Sequence, residues 1–172
     1  MRAVSRDSWL TALFASLDRV NGSSTVWQIR TFERRDADAV VELWREAGLT
    51  RAWNDPYQDI ERKLKVQPEL FLVAEAPGAH DSLSRIVGAL MAGYDGHRGW
   101  LYYLASASEL RGSGIGRGLV AEAERLLVEM GCPKVQLMVR TENDAALGFY
   151  ERLGYERFDV LNTGKRLIVD EQ

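Results

Sequence analysis

The stretch Leu101-Tyr102-Tyr103-Leu104-Ala105-Ser106-Ala107-Ser108-Glu109-Leu110-Arg111-Gly112-Ser113-Gly114-Ile115-Gly116-Arg117-Gly118 decides the fold. It opens as an apolar strand, turns through residues 106–110 and passes through four alternating glycines into a helix. That helix is the best defined in the chain. Ile115, Leu119, Ala123, Leu126, Leu127 and Met130 form one apolar stripe, and Gly131 and Pro133 stop it. Glycines at a helix start leave backbone N–H groups uncovered. Together with the positive end of the helix dipole, those donors suit a phosphate or pyrophosphate. Spacing excludes two common phosphate loops. The segment has no Gly-Lys-Ser/Thr, so it is not a Walker A loop. Glycines at 112, 114, 116 and 118 put Arg117 or Leu119 where the third glycine of G-x-G-x-x-G belongs. What remains is Arg111-x-x-Gly114-x-Gly116.

Working outward, the elements alternate. Val26 to Phe32 reads as a strand. Asp36 is placed to cap a helix with Val40, Leu43, Trp44 and Ala47 on one face, ended by Gly48. Asp55-Pro56 opens a second helix that turns Tyr57, Ile60 and Leu64 inward. Leu70–Ala76 and Ile86–Tyr94 are apolar strands, and Asp95-Gly96 makes a hairpin turn into the quoted strand. Past the long helix, Val135, Leu137 and Val139 alternate as a strand. Asn143 caps a short helix closed by Gly154, and two late strands are expected near 157–161 and 165–169. The order is β-α-α-β-β-β-α-β-α-β-β, a mixed α/β sheet of about seven strands with helices on both faces. Residues 1–25 stand apart as an N-terminal extension, with Trp9, Leu10, Leu13, Phe14, Leu17 and Val20 at helical spacing; residues 26–172 form the domain.

Composition narrows the function. A chain of 172 residues with net charge −3 lacks the excess of basic residues that nonspecific nucleic-acid binding needs. A single cysteine, Cys132, forms no intrachain disulfide and reads as a small buried filler. That cysteine usage makes the cytoplasm the expected compartment, and no run approaches the roughly 18 apolar residues of a membrane span.

The Arg111–Gly116 loop, the element order and the segment Asn143-x-x-Ala146-x-x-x-Tyr150-x-x-x-Gly154-Tyr155 together resemble the GCN5-related N-acetyltransferases (GNATs) over roughly residues 26–170. Trp53-Asn54-Asp55-Pro56, Gly93-Tyr94-Asp95-Gly96-His97-Arg98-Gly99 and Gly164-Lys165-Arg166-Leu167 are similar to the bacterial YpeA-type members. The chain departs from that subgroup in residues 1–25 and in Ala52, where proline is usual.

The resemblance implies direct transfer of an acetyl group from acetyl-CoA, with no metal, to an amine acceptor that is either a small molecule or a protein N-terminus or lysine. A homodimer is implied by analogy. The quoted strand would part from the strand at 134–139, and the pantetheine arm would lie between them. Backbone groups of Leu104, Ala105 and Ser106 would bind that arm. Residues Arg111, Gly112, Ser113, Gly114, Ile115, Gly116 and Arg117 would hold the pyrophosphate. Asn143 would bond the cofactor, and Tyr150 would protonate the departing thiolate. Many GNATs carry a glutamate base on the central strand; residues 100–106 here contain no acid. Asp95 is the first candidate base, with His97, Asp55, Glu109 and a water chain as alternatives. Asp55 and Asp95 with Trp53, Tyr94 and Tyr103 would suit a cationic amine. The competing function is a catalytically idle acyl-CoA-binding or sensing module.

Overall fold

A computed structural model describes residues 27–78, 84–168 and 170. The expected N-terminal helix lies outside the described residues. One five-stranded sheet organises the rest: β1 (Gln28–Thr31), β2 (Phe71–Ala76), β3 (Arg85–Tyr94), β4 (Gly99–Ser106) and β5 (Val135–Leu137), in that spatial order. Neighbours from β1 to β4 are antiparallel, and β4–β5 is parallel. Among the described residues four helices accompany the sheet: α1 (Ala37–Glu46), α2 (Pro56–Leu64), α3 (Ile115–Glu129) and α4 (Asp144–Arg152).

The apolar run Val87–Ala92 is buried along its whole length because helices cover both faces of β3. On one face Trp44 of α1 stacks on Phe71 at 6.0 Å and on Tyr103 at 4.3 Å, and Phe32 stacks on Phe71 at 4.1 Å. On the other face α3 lays Ile115, Leu119, Ala123 and Leu127 down as fully buried residues. Gly88 lets α3 approach closely: a Cβ there would stand 2.5 Å from Ile115 Cγ2 and 3.0 Å from Leu119 Cδ1.

Four expectations change. Of the late strands expected near 157–161 and 165–169, the first does not form and the described residues 165–168 hold none. Among the described residues no strand follows Leu137, so the sheet has five strands rather than seven. Alternating apolar residues make a strand only where a ladder partner exists, and here Val160, Leu161 and Leu167 stay exposed. β5 ends at Leu137 rather than Val139, because only three of its residues pair with β4. Asp36 stands at the N-cap position of α1, but its side chain makes no capping bond to that helix. The helix is preceded by a 3-10 turn, Arg34–Asp36, and the Asp36 carboxylate reaches back to accept from Glu33 N at 2.8 Å and from Arg30 Nη2 at 2.9 Å. Arg30 also bonds Glu75 on β2 at 2.9 Å, which ties the edge of the sheet to the start of α1. Tyr57 turns outward, and its hydroxyl donates to Asp38 Oδ1 at 3.0 Å.

Other sequence signals hold. Asp55 caps α2 by accepting from Tyr57 N at 2.9 Å, with Pro56 as the first helical residue. Gly48, Gly131 and Gly154 follow helix ends at positive φ. Cys132 is buried, and a Cβ on Gly99 would stand 2.9 Å from its sulfur.

The close approach at Gly88 sets a test. Gly88→Val drives two methyl groups into Ile115 and Leu119, so the urea midpoint should fall by the equivalent of about 2 kcal/mol. An unchanged midpoint would show that α3 yields at this contact.

Candidate active site

The site begins with a miscount between two strands. Ala89 pairs with Ala105 and Met91 with Tyr102, so Leu90 alone faces both Tyr103 and Leu104. This is a β-bulge. It holds Tyr103 at φ 56°, a left-handed backbone rare for an aromatic residue. On the opposite edge, β4 pairs with β5 only through Gly99, Trp100 and Leu101. From Tyr102 to Ser106 that edge has no ladder partner among the described residues. Leu104 and Ser106 are half-buried along it, and Ala105 is buried against the core.

The open edge leads directly into the glycine loop. A 3-10 turn at Ser108–Leu110 precedes it, and Ser113 donates both its N–H (3.1 Å) and its hydroxyl (2.6 Å) to Leu110 O. Gly112 (φ 84°) and Gly114 (φ 86°) supply the left-handed turns that aim the chain into α3. Gly114 is the cap position of α3, and no side chain caps it. The first-turn N–H groups of this helix therefore face outward without a capping acceptor. Gly116 and Gly118 serve packing instead. A Cβ on Gly116 would meet Phe149 at 3.3 Å, and one on Gly118 would stand 2.7 Å from Trp27. Arg111 and Arg117 are exposed at the rim. An anion has uncapped donors, a helix dipole and two guanidinium groups here.

α4 brings aromatic residues to the same end. Tyr150 sits edge-on to Phe149 (5.0 Å) and to Tyr155 (5.4 Å). Burial pushes its phenol up to about 12, so it stays protonated at neutral pH. Asn143 caps α4, its side-chain oxygen accepting from Ala146 N at 3.0 Å.

The carboxylates among the sequence-derived base candidates are already engaged, whereas His97 is exposed in its turn. Asp95 closes its own turn, accepting from Arg98 N at 2.6 Å, His97 N at 2.8 Å and Trp100 Nε1 at 3.0 Å. The Arg98 N–H, then the Trp100 indole and the His97 N–H, hold its carboxyl down at about 2. Its hairpin lies at the end of β4 opposite the glycine loop. Glu109 pairs with Arg85 at 2.8 Å, and Asp55 is the cap of α2.

A different set of residues meets at the bulge. Tyr103 donates to Asp59 Oδ2 at 2.7 Å, and Asn54 Nδ2 donates to the Tyr103 hydroxyl at 3.0 Å and to Asp59. Arg62 bonds Asp59 Oδ1 at 3.0 Å and Asp170 Oδ2 at 3.2 Å. A cavity of about 300 Å³ opens beside them, lined by Asp59, Arg62, Lys63, Val66, Met91, Tyr102 and Tyr103, with Gln67 at its side. The family resemblance puts Tyr103 on the acceptor side, whereas Asp59 lies off the apolar face of α2 and belongs to no sequence motif. The spacing of Asp59 to Arg62, three residues apart on a helix, was the available signal. Among the described residues no cluster of His, Cys, Asp and Glu is placed to hold a metal ion, and no helix is long and apolar enough to cross a membrane.

A mixed sheet whose β4 edge runs unpaired into a glycine-lined helix start forms an extended groove that ends at an anion site. The chain belongs to the acetyltransferase (GNAT) family, whose model matches residues 34–155, and it is an acetyl-transferring enzyme. Acetyltransferase YE1169 of Yersinia enterocolitica is 50% identical over 145 residues, which cover 84% of this chain and 99% of that protein. Acetyltransferase ECA0875 of Pectobacterium atrosepticum matches with the same identity and coverage. Among solved structures, the NatC complex bound to Gag peptide and CoA superposes with a TM-score of 0.66 at 26% identity, covering 77% of this chain and 86% of that one.

Asp95 makes acid stability testable. Its folded pKa lies near 2, below the ordinary value of about 3.9. The unfolded chain therefore binds this proton first as pH falls. The stabilisation is complete above about pH 5 and is lost between about 4 and 2. Urea midpoints measured across that range should fall less steeply for Asp95→Asn than for the wild type.

Proposed function

We propose that this enzyme moves the acetyl group of acetyl-CoA directly to a primary amine, and that the residues around the open edge of β4 perform the transfer. The observation that carries this reading is the unpaired β4 edge running into the uncapped start of α3. A CoA-like molecule has a polar, extended arm and an anionic pyrophosphate. The edge offers the first a ladder, and the loop offers the second its donors. The NatC structure, solved with CoA and a peptide, supports the pairing of this fold with such a cofactor.

In this reading the N–H groups of residues 112–117 hold the pyrophosphate, with Arg111 and Arg117 adding positive charge. Backbone groups of Leu104, Ala105 and Ser106 bind the pantetheine arm. N–H groups there polarise the thioester carbonyl, where fixed donors aimed at developing negative charge lower the barrier most. Asn143 keeps the start of α4 beside the cofactor. Tyr150 donates its proton to the departing sulfur. Its burial keeps that proton available, and a thiol with pKa near 8.5 needs only modest help to leave. Asp95, bonded three times within its turn, is poorly suited to accept a proton from the amine.

Two variants test the assignment. Gly114→Glu places a carboxylate and a strained backbone at the anion site, so calorimetry should show acetyl-CoA binding at least about 100-fold weaker. Gly114→Gln carries the strain without the charge and separates the two causes. Tyr150→Phe should bind acetyl-CoA normally yet release CoA about 10- to 100-fold more slowly, at or below the foot of the usual general-acid range because a thiolate leaves readily. Full turnover by Tyr150→Phe would remove its assigned role.

A further inference from the structure

We propose that Asp59 is the counter-ion for the acceptor, and that the acceptor is a small alkylamine entering as its ammonium ion rather than a peptide α-amine. This rests on the transfer reading above. The first argument is position. β4 carries no acid between Gly99 and Ser106, Asp95 closes a turn, Glu109 pairs with Arg85 and Asp55 caps a helix. Asp59 instead faces the cavity at the bulge with its side chain 19% exposed. The same extra residue that frees the β4 edge turns the Tyr103 hydroxyl to 2.7 Å from Asp59. Acyl edge and carboxylate are therefore joined through one residue, whose ring is clamped on Trp44.

The second argument is acceptor capacity. Asp59 and Asp170 share the guanidinium of Arg62, and Arg166 acts on Asp170 as well. Lys63 also lines the cavity, and its Nζ is turned to Val66 O at 3.0 Å. Asp59 already accepts from Arg62, Tyr103 and Asn54. A carboxylate offers about four acceptor positions, so one remains.

The third argument is chemical class. An alkylamine with pKa near 10.4 arrives charged at neutral pH, whereas an α-amine near 7.7–8.0 is already partly neutral. A fixed carboxylate favours the first. Val66, Met91 and the rings of Tyr102 and Tyr103 offer its aliphatic stem an apolar wall. The protons balance as follows. The ammonium gives one proton to water before attack. Its nitrogen then forms the C–N bond as the C–S bond breaks, and the sulfur takes the proton of Tyr150. The second amine proton returns through solvent to Tyr150.

The experiment uses the full chain and n-pentylamine. CoA release should show wild-type turnover, and Asp59→Asn should lose about 10- to 100-fold in kcat/KM, mostly in KM, the range of a charge-assisted hydrogen bond. Calorimetry should show unchanged acetyl-CoA affinity for that variant. Glu61→Gln, which removes an exposed carboxylate of the same helix that is paired with Arg34 away from the cavity, should hold KM within about threefold. In the CoA-loaded protein, n-pentylamine should shift the Asn54 side-chain amide resonance in the wild type but not in Asp59→Asn. Equal turnover by Asp59→Asn, an equal KM rise in Glu61→Gln, or wild-type turnover confined to a lysine-free peptide with a free α-amine would each overturn the proposal and leave the transfer reading standing. An Asn54 shift with no turnover on any amine would support the Asp59 site and sink the transfer reading instead.

Discussion

One extra residue in β4 sets the terms for the rest of the molecule. Two strands that matched residue for residue would put Tyr103 and Leu104 into a continuous ladder. With Leu90 facing both of them, β4 bends, and its far edge is left without β5 beyond Leu101. The bend carries a backbone cost, seen in the positive φ of Tyr103, of order 1–3 kcal/mol. Stacking on Trp44 and the bond to Asp59 offset that cost. A bulge is a stable feature only when its surroundings hold it, and here α1 and α2 supply that hold from one side of the sheet.

The two faces of the sheet divide the labour. α3 presses its apolar stripe onto one face and presents its uncapped first turn at the end of β4. The glycines that allow this act for separate reasons. Gly112 and Gly114 give turns that other residues adopt only with strain, whereas Gly118 makes room for Trp27. The other face carries the polar network of Asn54, Asp59, Arg62 and Tyr103. An anionic cofactor and a cationic acceptor would thus meet across the plane of β4, each attracted by the charge on its own side.

Much of this was legible in the residues. The glycine loop, the long helix behind it and the Asn143–Tyr150 spacing named the family, because each is local and each depends on a few special residues. The cap at Asp55-Pro56 and the stop at Gly131 were readable for the same reason. What escaped depended on partners distant in the chain. Alternation near 157–161 and 165–169 resembled strands, but a strand exists only beside another strand. Asp36 looked like a cap, yet its carboxylate is drawn to Arg30, six residues earlier on β1. Asp59 was invisible as a site residue because what distinguishes it is Tyr103, which a bulge 44 residues away swings towards it.

The three-residue parallel pairing of β4 with β5 has a consequence for motion. β1 to β4 are laced by longer antiparallel ladders and roofed by helices on both faces, so opening them requires breaking the core. β5 and α4 hang on a short ladder and on the cluster of Phe149, Tyr150 and Tyr155. Amide hydrogens on that side should exchange with solvent far sooner than those of β3. The molecule is built as a rigid block with a looser flap, and the groove between them is where breathing is cheapest.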